Sequence, residues 1–216
     1  RAGAVFVTST DCAHAAGAVP SLESGRHVFC EKPLATTIPD CDAIARAASK
    51  AKGILYLGMN LRHSPMHRTV HELVAQGAVG KPLLIEANEY YVGGKTYFRR
   101  WNRLNRYGGG LWITKATHDF DILNWLAGGT PLRVAAFSAV SHYKPRKDAA
   151  ASCRDCPLRD TCPDVYDLDG PMTFGRKLAL ITEEKTGVRR DLCLFNADKD
   201  TFDNGQALVE YDSDVR

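Results

Sequence analysis

Three short apolar stretches, "AVFVTST" (4 to 10), "HVFC" (27 to 30) and "ILYLGMN" (54 to 60), alternate with two stretches of helical character. "CAHAAGAVPSLESG" (12 to 25) is an Ala-rich helix closed by Gly25. "TTIPDCDAIARAASKAKG" (36 to 53) has Pro39 where a first turn tolerates it, apolar spacing at Ala43, Ile44, Ala47 and Ala48, and Gly53 as a stop. Strand, helix, strand, helix, strand with short connections leaves little choice of topology. Strands that run the same way need a crossover between them, so residues 1 to 60 predict the second half of a doubly wound, Rossmann-type parallel sheet.

Beyond residue 60 the pattern changes. "PMHRTVHELVAQGAVG" (65 to 80) reads as an amphipathic helix and "KPLLIEANEYYVGG" (81 to 94) as a long strand ending in a Gly-Gly turn. "WITKATHDFDILNWLAGG" (112 to 129) reads as one helix stopped by Gly128-Gly129, with strands over "LRVAAFSAVSHY" (132 to 143) and "ALVEYDSDVR" (207 to 216). Strands separated by one helix and long loops predict a second, α+β domain on an open, largely antiparallel sheet, so the class is α/β overall. The boundary falls at residues 61 and 62, giving partial domains over 1 to 61 and 62 to 216.

Composition narrows the function classes. A net charge of +3, from 28 basic and 25 acidic residues, provides no global field for nucleic acid or a membrane surface, and no apolar run is long enough to span a bilayer. Neither class of partner is expected. The 7 cysteines are too unevenly spread for a disulfide framework, which predicts a reducing compartment and, with it, the cytoplasm. The chain enters a strand without a Met and stops where a hairpin should turn, and it reads as a fragment cut at both ends. Such a piece, with exposed sheet edges, is expected to aggregate by itself.

The strand "HVFC" ends in Cys30-Glu31-Lys32-Pro33, placing an acid and an amine where ligands sit in sheets with helical crossovers. Around the later helix, Thr114, Lys115, His118 and Asp121 fall on one face at helical spacing. That face is either titratable and functional or simply solvated. "YFRRWNRLNRYGGG" (97 to 110) carries Arg99, Arg100, Arg103 and Arg106 among aromatics. It can clamp a sugar, with Trp101 stacking on a ring and arginines such as Arg100 donating to hydroxyls, or form a structural loop at a subunit contact. Arg62 and His63 either face the active-site crevice or begin the next helix. Cys153, Cys156 and Cys162 cluster, and Cys193 can complete four thiolates: structural zinc is the expectation, an iron-sulfur cluster less so, and four plain thiols the alternative. His27, His67, His71 and His142 stand singly and read as structural or exposed.

"GRHVFCEKPLATT", "GMNLRHSPMHR" and "GGGLWITKATHDFDILNWLAGG" resemble successive signatures of the Gfo/Idh/MocA oxidoreductases, the family of glucose-fructose oxidoreductase and inositol dehydrogenase. The likeness runs over nearly the whole chain. It implies an NAD(P)-binding Rossmann domain over 1 to 61, a substrate-binding and dimerisation domain over 62 to 216, and a tightly bound NAD or NADP. It implies catalytic roles for Lys32 and His118; Lys115 is a further catalytic candidate and Arg62, Arg100, Trp101, Thr114 and Asp121 substrate-facing candidates on their own positions in the sequence. "VTSTDCAH" resembles the family's segment near the nicotinamide ribose, which implies cofactor contacts from Thr8, Ser9, Thr10, His14, Glu31, Lys32 and Pro33, with Thr10 where a proline is usual. In the common pattern an aspartate stands four residues before the histidine; here that position is Thr114, which cannot act as a carboxylate base, so either His118 works with Lys115 or Asp121 or the chemistry differs from simple alcohol oxidation.

The expected chemistry follows from hydride transfer. Oxidising a secondary alcohol requires a base near neutrality at the hydroxyl, the role expected of His118, and a cation against the same oxygen, expected of Lys32. The expected substrate is a sugar, cyclitol or polyol, and homo-oligomers through the second-domain sheet are implied. A glycoside-processing enzyme that recycles its NAD internally and a silent nucleotide-binding regulator are the alternatives. No G-x-G-x-x-G occurs, so nucleotide binding cannot be read from that motif, and the choice between NAD and NADP lies outside these residues.

Overall fold

The computed structural model describes residues 2–91, 94–170 and 175–216. The first strands and helices are β1 (Ala4–Val7), α1 (His14–Glu23), β2 (His27–Cys30), α2 (Ile38–Lys50) and β3 (Leu55–Leu57). The three strands form a parallel sheet, as the alternation predicts, and their order is β1-β2-β3. They are shorter than their apolar stretches: Thr8–Thr10 leave the sheet, and a 3₁₀ turn, Asp11–Ala13, leads into α1. Thr37 caps α2 by accepting from the Asp40 amide, and Pro39 sits in the first turn, where its missing N–H costs nothing.

Burial on this sheet is one-sided. Val7, Val28 and Cys30 pack with Ala18 and Leu22 of α1 and Ile44 and Ala47 of α2 in one core. Alternate residues point the other way, and Phe6, Phe29 and Tyr56 stand in register as a ladder of rings, with Phe6 68% exposed.

The helix α3 (Pro65–Ala75) follows, and Gly77 in the left-handed region ends its run. The strand expected over 81 to 94 is not present among the described residues. Ile85 N–H donates to Arg216 O and Arg216 N–H to Leu83 O, but that two-bond pairing is too short to make a strand, and Leu83, Leu84 and Tyr90 stay exposed. A pattern can favour extension, but only a partner makes a ladder. Gly93 of the expected Gly-Gly turn lies outside the described residues.

Short helices α4 (Lys95–Phe98), α5 (Asn105–Gly108) and α6 (Leu111–Thr114) lead to α7 (Thr117–Ala127), whose end is set by Gly128 in the left-handed region. The single helix expected over 112 to 129 is therefore two. Lys115 adopts φ −121° and ψ −56°, off helical geometry, and the chain restarts at Thr117. The strand β4 (Pro131–Ala139), the helix α8 (Arg176–Thr186) and the strand β5 (Asn204–Tyr211) complete the elements. β4 and β5 pair as a two-stranded antiparallel sheet. β5 starts and stops earlier than expected, because the chain turns through Asp214 at φ 66° and the Tyr211 amide donates to Val215 O.

By contacts, the chain groups into two compact units, one of residues 1–89, 106–137 and 205–216, the other of 90–105 and 138–204. Among the described residues no helix is long and apolar enough to cross a membrane.

Candidate active site

The carboxyl ends of β1 and β2 adjoin in the first unit, tied by the Glu31 amide donating to Val7 O at 2.9 Å. His14, fully buried at the start of α1, braces the loops that leave them. Its Nδ1 lies 2.7 Å from Pro33 O and its Nε2 3.3 Å from Ser9 O. Both ring nitrogens are thus turned to protein carbonyls, and any contribution of His14 to a cofactor pocket runs through the segments it holds. The Lys32–Pro33 peptide is cis. Thr8, Ser9, Thr10, Glu31, Lys32 and Pro33, the residues expected to contact a nicotinamide ribose, all lie in these two strand-end segments.

Lys32 reaches α6 from here. Its ammonium donates to the Thr114 carbonyl at 2.6 Å. Burial lowers its pKa, Asp11 opposes that shift, Lys115 adds to it and Glu31 opposes it. The Thr114 hydroxyl is not turned outward to a substrate: it is 2% exposed and donates to Asp11 Oδ2 at 2.7 Å. Asp11 is itself buried, and burial raises its carboxyl pKa against the Thr114 hydrogen bond and the Lys32 and His14 charges. Asp11, Thr114 and Lys32, from three segments, are therefore linked through the two oxygens of Thr114, with the Asp11 end buried and the Lys32 end half-buried.

The entry into α6 is set locally. Gly109 and Gly110 both take positive φ, and a Cβ on Gly109 would come 2.9 Å from Ile113 Cδ1, so only glycine lets the backbone enter α6 this way. The break separates Thr114 and Lys115 from the regular turn that carries His118. One polar face of a continuous helix is thus replaced by two helix ends meeting.

His118 stands in the first turn of α7. Its Nδ1 is buried with no hydrogen-bond partner among the described residues. Burial lowers its pKa, the positive charges of Lys32 and Lys115 lower it further, and Asp121 and Glu89 counter. A neutral imidazole beside an ammonium is the protonation pair that alcohol oxidation requires. Lys115 pairs with Glu89, and Asp119 lies against Glu89 as well. Burial, then the Glu89 charge and the hydrogen bond between them, push the Asp119 carboxyl up to about 6.

Arg62 and Asp121 engage each other: Nε donates to Oδ2 at 2.7 Å and Nη2 to Oδ1 at 2.8 Å. The Arg62 guanidinium also sits 5.1 Å from the Trp125 ring centre, and Trp125 stacks on His71. His71, read as a lone histidine, is therefore packed into this network.

The other expected substrate residues, Arg100 and Trp101, belong to the second unit, where Arg100 is exposed and Trp101 half-buried. Their neighbours Arg99 and Arg103 are buried anchors rather than a surface clamp. Arg99 donates to Leu192 O at 2.9 Å and to the Asp164 carbonyl, and Arg103 to Cys193 O at 3.2 Å and to Asp198.

Cys153 and Cys193 are brought to neighbouring chains by the antiparallel bridge Ser152↔Leu192, but the zinc expectation is not met. Among the described residues no group of three or more His, Cys, Asp or Glu side chains is arranged to hold a metal ion. The Cys153 sulfur instead accepts from Arg99 Nη1 and the Tyr166 amide, both at 3.4 Å, and Cys156 and Cys162 stay free thiols on separate turns. Spacing counts thiols, while their directions are set by the turns that carry them.

Sequence reasoning missed Asp11, Glu89 and Asp119. Asp11 had one usable signal, an acid just past a strand end; Glu89 was hidden in a presumed strand, and Asp119 sat off the polar face of a presumed continuous helix.

Comparison with known proteins agrees with this geometry. A family described as an oxidoreductase family with an NAD-binding Rossmann fold matches residues 1–59, and the GFO/IDH/MocA C-terminal domain matches 67–216. The chain is 31% identical to a putative oxidoreductase, YteT, of Bacillus subtilis, over 96% of this chain and 52% of that protein. It is 42% identical to inositol 2-dehydrogenase 3 of Saccharopolyspora erythraea over 57% of this chain and 34% of that one. The WlbA dehydrogenase of Bordetella pertussis, solved in complex with NADH and UDP-GlcNAcA, superposes with a TM-score of 0.53 at 26% identity, covering 64% of this chain and 40% of that structure. The chain thus spans about half or less of the length of these relatives. With both family domains matched in order along the chain, the chain belongs to the Gfo/Idh/MocA family of oxidoreductases.

Proposed function

We propose that this chain carries the catalytic groups of an NAD(P)-dependent oxidoreductase acting on a hydroxyl carbon of a sugar, cyclitol or polyol. The observation that carries the reading is the Lys32 ammonium donating to the Thr114 carbonyl at 2.6 Å, which brings the strand-end amine to the last residue of α6, four residues before His118. The relatives named for inositol and 1,5-anhydro-D-fructose support the substrate class.

Residues 1–61 would contribute the nucleotide-binding side and 62–216 the substrate side. The residues present fit the nicotinamide end of a dinucleotide, since Thr8–Thr10 and Glu31–Pro33 lie at adjoining strand ends and the buried Nδ1 of His118 has no hydrogen-bond partner among the described residues. When bound, the nicotinamide supplies the hydride acceptor or donor. His118 takes the hydroxyl proton as the neutral base, and the Lys32 ammonium holds the developing alkoxide. Lys115, paired with Glu89, keeps the surroundings cationic enough that His118 stays unprotonated.

The sheet β4–β5 supports a contact between copies, because every residue of β4 is exposed and Val134, Phe137 and Leu208 present apolar side chains there. The cytoplasm is the proposed location, on the distribution of the cysteines.

The test uses the full-length protein. Bound nucleotide is released and identified, and NAD(P)H formation is followed against inositols and sugars in the parent, Lys32→Ala and His118→Ala. Net reduction on one substrate, lost in both variants, is the expected result. Bound nicotinamide without net reduction on any substrate would replace it with the internally recycling enzyme.

A further inference from the structure

We propose that Asp11 and Thr114 are positioning residues for Lys32, holding its ammonium charged and aimed through a buried carboxylate–hydroxyl–carbonyl bridge. The inference rests on the functional reading above for its catalytic consequence, but the bridge itself rests on geometry alone. Asp11 is 7% exposed and Thr114 2% exposed, so neither is an ordinary surface polar residue. Thr114 uses both of its oxygens: the hydroxyl donates to Asp11 Oδ2 at 2.7 Å, and the carbonyl accepts from Lys32 Nζ at 2.6 Å. One threonine thereby fixes the acid and the amine to the same backbone point, although they lie in different segments of the chain.

The chemistry explains why such a bridge is useful. An ammonium that leaves water loses hydration and is driven toward the neutral amine, in which form it stabilises no alkoxide. A carbonyl dipole accepts one of its protons, and a nearby carboxylate compensates its charge without occupying the remaining N–H groups. The groups that face Lys32 are Asp11 at the end of β1, Glu31 beside it, Lys115 beyond α6 and His118 in α7. Two of them, Asp11 and Glu31, are acids. Asp11 is the stronger influence and is anchored by the Thr114 hydroxyl, whereas the Glu31 carboxylate accepts from the Lys32 amide at 3.3 Å. Thr114 also fixes where the amine points, because its carbonyl sits at the last residue of α6, immediately before the Lys115 break.

The test reads Lys32 directly in the full-length protein. Competitive acetylation of the lysines across pH 6 to 11, quantified by peptide mass spectrometry, gives the Lys32 titration midpoint without turnover. Asp11→Asn is expected to lower that midpoint by about one pH unit, a tenfold change in the equilibrium. Thr114→Val is expected to lower it less, and Thr114→Ser to restore it. The alkaline limb of kcat/KM should move to lower pH with the same ranking. An unchanged midpoint in Asp11→Asn and Thr114→Val, with wild-type unfolding temperature, would overturn the proposal; if Asp11→Asn does not fold, the Thr114→Val and Thr114→Ser pair decides it. A parent protein that forms no NAD(P)H on any substrate would sink the functional reading and leave the Lys32 titration standing.

Discussion

Arg62 and Asp121 meet as a two-point ion pair, Nε to Oδ2 at 2.7 Å and Nη2 to Oδ1 at 2.8 Å, joining the turn after β3 to the middle of α7. The fork geometry matters here because Asp121 lies one turn beyond His118 on the same helix. Arg62→Lys keeps the charge and loses one of the two parallel bonds. The expected cost is about 1 kcal/mol or less, since the Arg62 side chain is 38% exposed and solvent screens the pair. A double-mutant cycle with Asp121→Asn, read by urea unfolding, should give a coupling of that size; a coupling of zero would mean that the pair does not steady α7.

His118 should act as a base at lower pH than a free imidazole would. Burial and the charges of Lys32 and Lys115 all depress its pKa, so the neutral form persists below the usual value of about 6.5. The acid limb of kcat/KM should accordingly lie below that value. Lys115→Met removes one of the depressing charges and should move the limb upward. A limb that moves down, or does not move, would show that Lys115 does not reach His118.

Asp119 makes stability depend on pH in the opposite sense to an ordinary salt-bridged acid. Its carboxyl is raised to about 6 by burial and by Glu89, so the folded protein binds that proton more tightly than the unfolded chain does. Its contribution is fully favourable below the unfolded value of 3.8 and is lost as pH rises through about 6. Asp119→Asn should therefore gain stability relative to the parent between pH 4 and pH 7. Unfolding temperatures of the two proteins at those pH values check it, and a gap that narrows over that interval would contradict the assignment.

Leu22 is 0% exposed and lies in the core shared by α1, α2 and the parallel sheet. Leu22→Ala removes buried methyl groups and leaves a cavity that close-packed neighbours fill only in part. The expected loss is about 2–5 kcal/mol. Denaturant unfolding of the full-length variant measures it; a loss below about 1 kcal/mol would show that α1 repacks freely.

The parts that were legible in the sequence share one property: they are encoded by residues close together along the chain. The apolar stretches and helix stops between residues 4 and 60 dictate a parallel sheet with helical crossovers, and the Glu31-Lys32 pair falls at a strand end because the stretch before it is a strand. A helix carrying His118 was likewise readable from apolar spacing and from Gly128. Where a feature needs a distant partner, pattern alone misleads. Residues 81 to 91 have strand composition and no ladder, because apart from two bonds to Arg216 no strand among the described residues pairs with them. The cysteines have ligand-like spacing, yet among the described residues no group of three or more is arranged to hold a metal ion.

By itself, then, the sequence determined the class of fold, the strand end that carries Lys32 and the helix that carries His118, since each depends on local periodicity and on turn residues. Only the tertiary structure decided what those groups meet. The Asp11–Thr114 bond spans 103 positions and the Lys32–Thr114 bond 82, and no short-range pattern encodes such separations. They arise because packing two strand ends against a helix broken at Lys115 excludes water from three polar groups, which must then satisfy one another.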